Sequence, residues 1–148
     1  MKNIYKHIFL ALVVGLIVGA IDALFGRVLI WITDFRTIHY LWLLPFLPLA
    51  GLLITWLYHR FNKESLGGMT LIFETRLDKR KDIPLALIPL VMVGTWITHL
   101  FGGSAGREGV AVQIGATISH WLGKKCHLPD NSKILLAVSY THLTLPTT

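Results

Sequence analysis

The chain has 148 residues, of which 53% are hydrophobic and only 15% are charged, and its mean hydropathy is +0.60. Soluble domains carry about 25% charged residues, so this composition excludes an ordinary soluble domain. The net charge of +6 does not indicate nucleic-acid binding, because the basic residues cluster in short connectors between apolar runs.

Two long apolar runs near the N-terminus predict membrane-spanning helices over roughly residues 3–33 and 40–60. No charged residue occurs between Tyr40 and Tyr58, and a bilayer core accommodates about 20 apolar residues per helix. Residues 33–39, between the two runs, are interpreted as a brief polar turn. Because basic residues flank the other ends of both runs, we expect the N-terminus in the cytoplasm and this turn outside.

The next segments predict helices that enter the membrane without crossing it. Met69 to Phe73 is too short to span, so a half-helix over roughly 69–77 would dip into the membrane and return. A helix over 83–100 follows, and a glycine-rich break then precedes a shorter helix over 108–122 and a last one over 131–137. Broken helices at membrane depth are tolerated only where protein or water surrounds the bare backbone.

The glycine-rich break opens the sequence GGSAGREGVAVQIG, residues 102–115. A helix N-terminus has unpaired N–H groups and roughly +0.5 of a charge, which makes it a natural anion site. Gly106 and Gly109 leave the backbone open to close approach. A second half-helix begins at Gly68, so the pattern predicts two broken helices that converge on one anion site.

Glu108 follows Arg107 directly, between two segments that do not face water. When it is ionised, this carboxylate occupies the anion's place at the positive helix end; when it is protonated, it vacates that place. An unpaired carboxylate in a membrane costs about 2.5–3.5 kcal/mol, and a group kept at that cost is usually functional. The alternative is a structural pair of Arg107 and Glu108 at a re-entrant turn. His99, just before the break, also has two interpretations, a proton relay or a partner of a backbone carbonyl.

The titratable residues predict neither a metal site nor a cofactor. Cys126 is the single cysteine, which excludes an internal disulfide and a multi-cysteine metal cluster, and the seven histidines show no metal-ligand spacing. No nucleophile motif accompanies Glu108 and His99. We therefore expect that the protein is not an enzyme. The alternative is a membrane enzyme that uses Glu108 and His99 as an acid–base pair.

The stretch GGSAGREGVAVQIGA resembles the signature of the CLC chloride channels and anion/proton exchangers, in which G-R-E-G-P opens an internal half-helix. The glycines, the Arg-Glu pair and Gln113 are all in place. The resemblance covers residues 1–137 and implies the N-terminal part of an all-α membrane core, with long tilted helices and broken half-helices meeting at mid-membrane. It also implies that Glu108 is the proton-coupled gate and that the backbone N–H groups of Gly109 and Val110 help to hold the anion.

Two departures from that signature resemble the fluoride/proton antiporter branch of the family, which exports toxic fluoride from bacteria. Val110 replaces the usual proline, and Met69 falls where the G-S-G-I-P half-helix of the family has a chloride-binding serine. The resemblance therefore implies fluoride export coupled to proton exchange across the bacterial inner membrane. The residues expected at the anion site are Gly68, Met69, Thr70, Gly106, Arg107, Gly109 and Val110.

Two alternatives stay open beside fluoride export. The first is a chloride channel or a chloride/proton exchanger of the same fold. The second, from another class, is a non-catalytic membrane subunit, which would leave a buried Glu108 without a purpose. The expected partners are a small anion, protons and the lipid bilayer. Full-length relatives are expected to form homodimers, although the helices through which the family dimerises are absent from this sequence.

The last eleven residues, 138–148, do not continue the helical pattern. Their sequence, VSYTHLTLPTT, resembles translated adapter sequence from sequencing libraries. We therefore treat residues 138–148 as an artefactual tail, and we expect the natural coding sequence to continue differently after residue 137.

Overall fold

A computed structural model describes residues 2–76 and 83–125, and all regular elements in this part of the chain are helices. Its elements are α1 (Lys2–Leu43), a 3₁₀ turn (Leu44–Phe46), α2 (Leu47–Phe61), a second 3₁₀ turn (Lys63–Gly67), α3 (Met69–Arg76), α4 (Leu87–Leu100) and α5 (Arg107–Lys125). The predicted all-α class is therefore confirmed. The predicted helix over 131–137 and the tail over 138–148 lie outside the described residues.

Helix α1 continues through the segment in which the sequence predicts a polar turn. Residues 33–39 contain neither glycine nor proline, so their polarity alone does not interrupt the helix. The hydroxyl of Thr33 donates to the Leu29 carbonyl, and that of Thr37 to the Thr33 carbonyl, both at 2.8 Å. Only His39 departs from helical geometry, with φ −115° and ψ 18°. Residues 33–38 are therefore helical where the sequence predicts a turn, and the helix is first interrupted by the kink at His39, shortly before the proline-containing 3₁₀ turn.

The length of α1 exceeds what a perpendicular membrane crossing requires. Before the kink at His39, residues 2–38 span about 55 Å at 1.5 Å per residue, whereas a bilayer core is about 30 Å thick. The stretch Ile8–Phe61 is long and apolar enough, by length and composition, to cross a membrane. A helix of this length fits a bilayer only when it is tilted or projects beyond it.

Many large apolar side chains on α1 and α2 point away from the rest of the structure. Trp31 is 69% exposed, Trp42 is 79% exposed and Leu52 is 68% exposed. Monomeric soluble proteins rarely expose contiguous apolar surface on this scale. The outer faces of these helices are therefore surfaces for lipid or for further protein.

Helices α1, α4 and α5 form the main apolar core. Phe25 and Leu29 of α1 are each only 2% exposed. The Phe25 ring stacks on the Trp96 ring of α4 with centroids 6.1 Å apart, and the indole N–H of Trp96 donates to the Phe25 carbonyl at 3.4 Å. From α5 the core receives Val110, Ile114 and Ile118. The first turns of α5 are therefore held against α1 and α4.

A second apolar cluster holds the short helix α3 in place. Leu71 and Ile72 of α3 are fully or almost fully buried. They pack with Ile83, with Leu87 at the start of α4 and with Ala116 of α5. An eight-residue helix is not stable alone in water, so these contacts determine where α3 begins and in which direction it points.

The helix bounds differ from the predicted ones by a few residues. Helix α4 begins at Leu87 rather than at residue 83, because a turn precedes it in which the Leu87 N–H donates to the Pro84 carbonyl at 3.0 Å. Helix α5 runs over Arg107–Lys125, where the sequence predicts 108–122. The end of the half-helix predicted over 69–77 falls at Arg76, the last residue described before the gap.

Candidate anion site

The glycines after α4 end that helix and redirect the chain. Gly102 has a φ of +89°, a conformation that residues with side chains rarely adopt. At Gly103 a Cβ atom would lie 2.6 Å from Thr98 Cγ2 and 3.1 Å from the Thr98 carbonyl oxygen. The Gly103 N–H donates to that same carbonyl at 2.8 Å. Glycine at these two positions allows α4 to stop and α5 to begin seven residues later.

Helix α5 starts at an open position with a charged pair in its first turn. Arg107 is its first residue, Glu108 is its second, and both side chains are exposed. A Cβ atom at Gly106 would meet no atom within 4 Å, so the space before the helix is open. With Gly106 as the cap, the N–H groups of Arg107, Glu108 and Gly109 lack partners within the helix, whereas that of Val110 makes its first hydrogen bond.

Helix α3 starts after a turn that is capped by a side chain. The Asn62 side-chain oxygen accepts a hydrogen bond from the Glu64 N–H at 2.9 Å, which begins the 3₁₀ turn Lys63–Gly67. Gly68 then adopts a φ of +49°, and α3 begins at Met69. The positive φ at Gly68 is accessible to glycine at little cost and turns the chain into the half-helix.

The first residues of α3 and α5 lie against each other. The Met69 Cε atom is 3.8 Å from the position that a Cβ atom would take at Gly109. The Gln113 side-chain oxygen is 3.9 Å from the corresponding position at Gly68. Gln113 is one helical turn after Gly109, so both residues face α3 from the same side of α5. Two helix N-termini, each preceded by glycine, are thus adjacent, as an anion site between half-helices requires.

The other expected site residues divide between this junction and its surroundings. Thr70 is exposed, whereas Val110 is only 3% exposed and belongs to the main core. The Val110 side chain therefore stabilises the position of α5. The structure brings Gly68 and Met69 together with Gly109, and it leaves Glu108 in the open space beside them.

Arg107 and Glu108 do not form the structural pair that the sequence leaves open. Within the described ranges 2–76 and 83–125, no ion pair within 4.0 Å joins their side chains. Arg107 instead lines a cavity with residues of α1 and α4. The Glu108 side chain is exposed at the start of α5.

Gln113 is a polar residue of the junction that the sequence left without a role. Its side-chain oxygen is buried and accepts no hydrogen bond from any residue that the structure describes. An unpaired buried polar atom costs about 1–3 kcal/mol, which makes its position beside Gly68 notable. The spacing from Gly109 to Gln113 is the signal that could have identified it, because residues four apart share a helix face.

Comparison with known proteins gives three concordant matches. Residues 50–140 match a family model described as "Voltage gated chloride channel". A curated "Chloride/fluoride channel protein" of Pseudomonas syringae pv. tomato is 40% identical over 136 residues, which are 90% of this chain and 30% of that protein. A solved "CLC-type fluoride/proton antiporter" superposes with a TM-score of 0.88 at 45% identity, covering 97% of this chain and 37% of that one. The chain therefore spans about a third of the length of either relative.

Proposed function

This chain belongs to the voltage-gated chloride channel (CLC) family, and we propose that it serves fluoride export coupled to proton exchange, with Glu108 as the gate. Since the chain spans 37% of the solved relative and 30% of the curated one, the proposal concerns a complete transporter that contains this segment. The proposed activity moves ions across the membrane, and its only chemical step is the transfer of a proton.

The proposal depends on the contact between the starts of α3 and α5. The Met69 Cε atom lies 3.8 Å from the position of a Cβ atom at Gly109, so two helix starts with unpaired N–H groups are neighbours, and such starts bind anions. The positive ends of two helix dipoles then favour negative charge at a single place. Gly68, Gly106 and Gly109 have no side chain that would fill this place.

Glu108 is proposed to compete with the anion. Its carboxylate is attached to the first turn of α5, where the N–H groups of that turn attract negative charge. When Glu108 is ionised, it occupies the anion's place. When it is protonated, the attraction is lost, the side chain rotates into the open space, and an anion enters. One proton is therefore linked to each exchange, and release of that proton on the other side of the membrane couples the two flows.

Met69 is proposed to favour fluoride over chloride. The thioether of Met69 donates no hydrogen bond, and it stands where a chloride-binding serine is expected from the CLC signature. Thr70, the next residue, is exposed and carries a hydroxyl that can donate to an anion. Both relatives named above carry fluoride in their descriptions. A chloride channel or chloride/proton exchanger is the competing assignment, and it predicts chloride flux at least equal to fluoride flux.

The orientation is proposed from the distribution of basic residues. Lys124 and Lys125 end α5, and His59 and Arg60 end α2, so these helix ends are assigned to the cytoplasm of a bacterial inner membrane, together with the N-terminus. Homodimers are proposed for the complete transporter. That part of the proposal concerns helices outside this sequence.

The test is proton uptake driven by an outward fluoride gradient. A complete transporter carrying residues 1–137 of this chain would be reconstituted in liposomes that contain a pH-sensitive dye and fluoride. The proposal expects the interior to acidify as fluoride leaves and expects a much weaker response when chloride replaces fluoride. Fluoride efflux without proton uptake would instead identify a channel. An equal response to chloride would identify a chloride/proton exchanger.

A further inference from the structure

A second polar region lies next to Glu108, the proposed gate. An open cavity of about 260 Å³ lies between the middle of α1, the end of α4 and the first residue of α5. The residues that line it are Leu29, Ile30, Thr33, Asp34, His99 and Arg107. Three of these six side chains are charged or titratable, although the segments around them are apolar. None of the three has a role in the anion site described above, apart from the position of Arg107 beside Glu108.

His99 is held in this cavity in a defined orientation. Its Nδ1 atom lies 3.0 Å from the Thr95 carbonyl oxygen. A carbonyl only accepts hydrogen bonds, so Nδ1 carries the hydrogen, and in the neutral ring Nε2 has the free lone pair. Within the part of the chain that the structure describes, Nε2 has no hydrogen-bond partner. The ring therefore has one nitrogen fixed by the helix and one available to bind a proton.

The charges around His99 come from two neighbouring helices. Asp34 faces the cavity from α1, and Arg107 faces it from α5. Their charges are opposite, so the cavity changes from neutral to positive when His99 takes up a proton. The other lining residues are Leu29, Ile30 and Thr33 of α1, and none of them titrates.

Glu108 is within reach of this cavity. It follows Arg107 directly, and neighbouring Cα atoms are about 3.8 Å apart. Its side chain is exposed and makes no ion pair within 4.0 Å in the described residues. Transfer of a proton between the cavity and Glu108 requires its side chain to rotate toward the region that Arg107 lines, or a water molecule to connect them.

We infer that His99 relays the proton that neutralises Glu108, with the cavity lined by Asp34, His99 and Arg107 as the place where that proton arrives from water. The inference rests on the proposed function of Glu108. In the first step Nε2 binds a proton from water in the cavity that Asp34 also lines, and the ring becomes an imidazolium. In the second step Nε2 donates that proton to the Glu108 carboxylate. The ring is then neutral again, and the uncharged Glu108 leaves the anion's place.

The opposing interpretation is that His99 only satisfies the Thr95 carbonyl. His99→Asn separates the two, because the asparagine NH₂ can replace the Nδ1–H donor while nothing replaces Nε2. His59→Asn is the matched control, since His59 is exposed in the last turn of α2 and does not line the cavity. Both variants would be introduced into the complete transporter carrying residues 1–137, and fluoride-driven proton uptake would be measured from pH 5 to pH 8.

We expect His99→Asn to lower proton uptake about tenfold, below the 10²–10⁴-fold effects of the strongest acid–base groups because water can partly substitute. The pH dependence of proton uptake should also change in His99→Asn, whereas in His59→Asn it should stay as in the parent. If proton uptake and its pH profile match those of the parent, the relay is refuted and His99 is structural. If the parent itself shows no fluoride-driven proton uptake, it is the proposed function that fails.

A spectroscopic measurement covers the case in which His99→Asn does not fold. The complete transporter carrying residues 1–137, labelled with ¹⁵N-histidine in detergent micelles, would be compared with its Glu108→Gln variant at one pH. A shared proton predicts that the His99 Nε2 resonance shifts between the two proteins, while the His59 resonances do not. Identical His99 spectra would overturn the relay without any measurement of transport.

Discussion

The Met69 Cε atom lies 3.8 Å from the place that a Cβ atom would occupy at Gly109, so α3 and α5 begin side by side. The two residues are forty positions apart, and the contact joins the only two helices of the described segments that begin directly after a glycine. The second apolar cluster maintains the contact, because Leu71 and Ile72 anchor α3 against α5 within the next turn. The consequences can be tested residue by residue.

Replacing Glu108 by glutamine should abolish proton-coupled flux. Glutamine keeps the size of the side chain and removes its titration, so no proton accompanies the anion. Fluoride-driven proton uptake should fall to the level of empty vesicles. Glu64→Gln is the matched control, because Glu64 is exposed in the 3₁₀ turn before α3 and should retain uptake. Proton uptake equal to that of the parent would reduce Glu108 to a surface residue of α5.

Replacing Met69 by serine should shift the anion preference toward chloride. The substitution places a hydroxyl donor at the start of α3, where the thioether offers none. We expect the chloride-to-fluoride flux ratio to rise by about tenfold, which corresponds to one additional hydrogen bond of roughly 1.4 kcal/mol. Met69→Leu keeps the bulk without a donor, and its ratio should stay near that of the parent. Equal ratios in all three proteins would remove Met69 from the selectivity of the site.

Replacing Gly109 by alanine should impair transport while preserving the fold. The new methyl group would lie 3.8 Å from Met69 Cε, an ordinary contact, and alanine favours a helix over glycine by about 1 kcal/mol. The melting temperature should therefore hold or rise, whereas fluoride flux should fall because the methyl group narrows the junction. Gly51→Ala in α2 is the control, since its methyl group would meet nothing within 4 Å. Undiminished flux in Gly109→Ala would place the anion path elsewhere.

Replacing Gly103 by alanine should destabilise the protein. The added Cβ would lie 2.6 Å from Thr98 Cγ2, 3.1 Å from the Thr98 carbonyl oxygen and 3.3 Å from Leu47 Cδ1. Overpacking of this kind costs about 1–3 kcal/mol. Thr98→Ser removes the closest atom but not the backbone oxygen, so the double variant should recover part of the lost stability. Thermal unfolding in detergent measures all three variants, and an unchanged Gly103→Ala would show that the break tolerates a side chain.

The membrane character, the helical class and the positions of both glycine breaks could be predicted from the sequence. These features are local, because an apolar run, a proline or a glycine acts on the chain within a few residues. The convergence of Gly68 and Gly109 was predicted as well, from the chemistry that a helix N-terminus offers an anion. Of the turn predicted at 33–39, only the kink at His39 is present, and residues 33–38 are helical because polar residues without glycine or proline do not by themselves end a helix.

Only the tertiary structure decided which side chains meet. The contact of Met69 with Gly109, and the burial of the Gln113 side-chain oxygen beside Gly68, depend on how α3 packs on α5. The different surroundings of the Arg107 and Glu108 side chains also depend on the packing of helices. In the sequence the two are neighbours, but successive residues on a helix point about 100° apart, so Arg107 faces the cavity beside Asp34 and His99 while Glu108 stays at the open start of α5. Spacing along the chain determines where a helix begins, and packing between helices determines what its first side chains face.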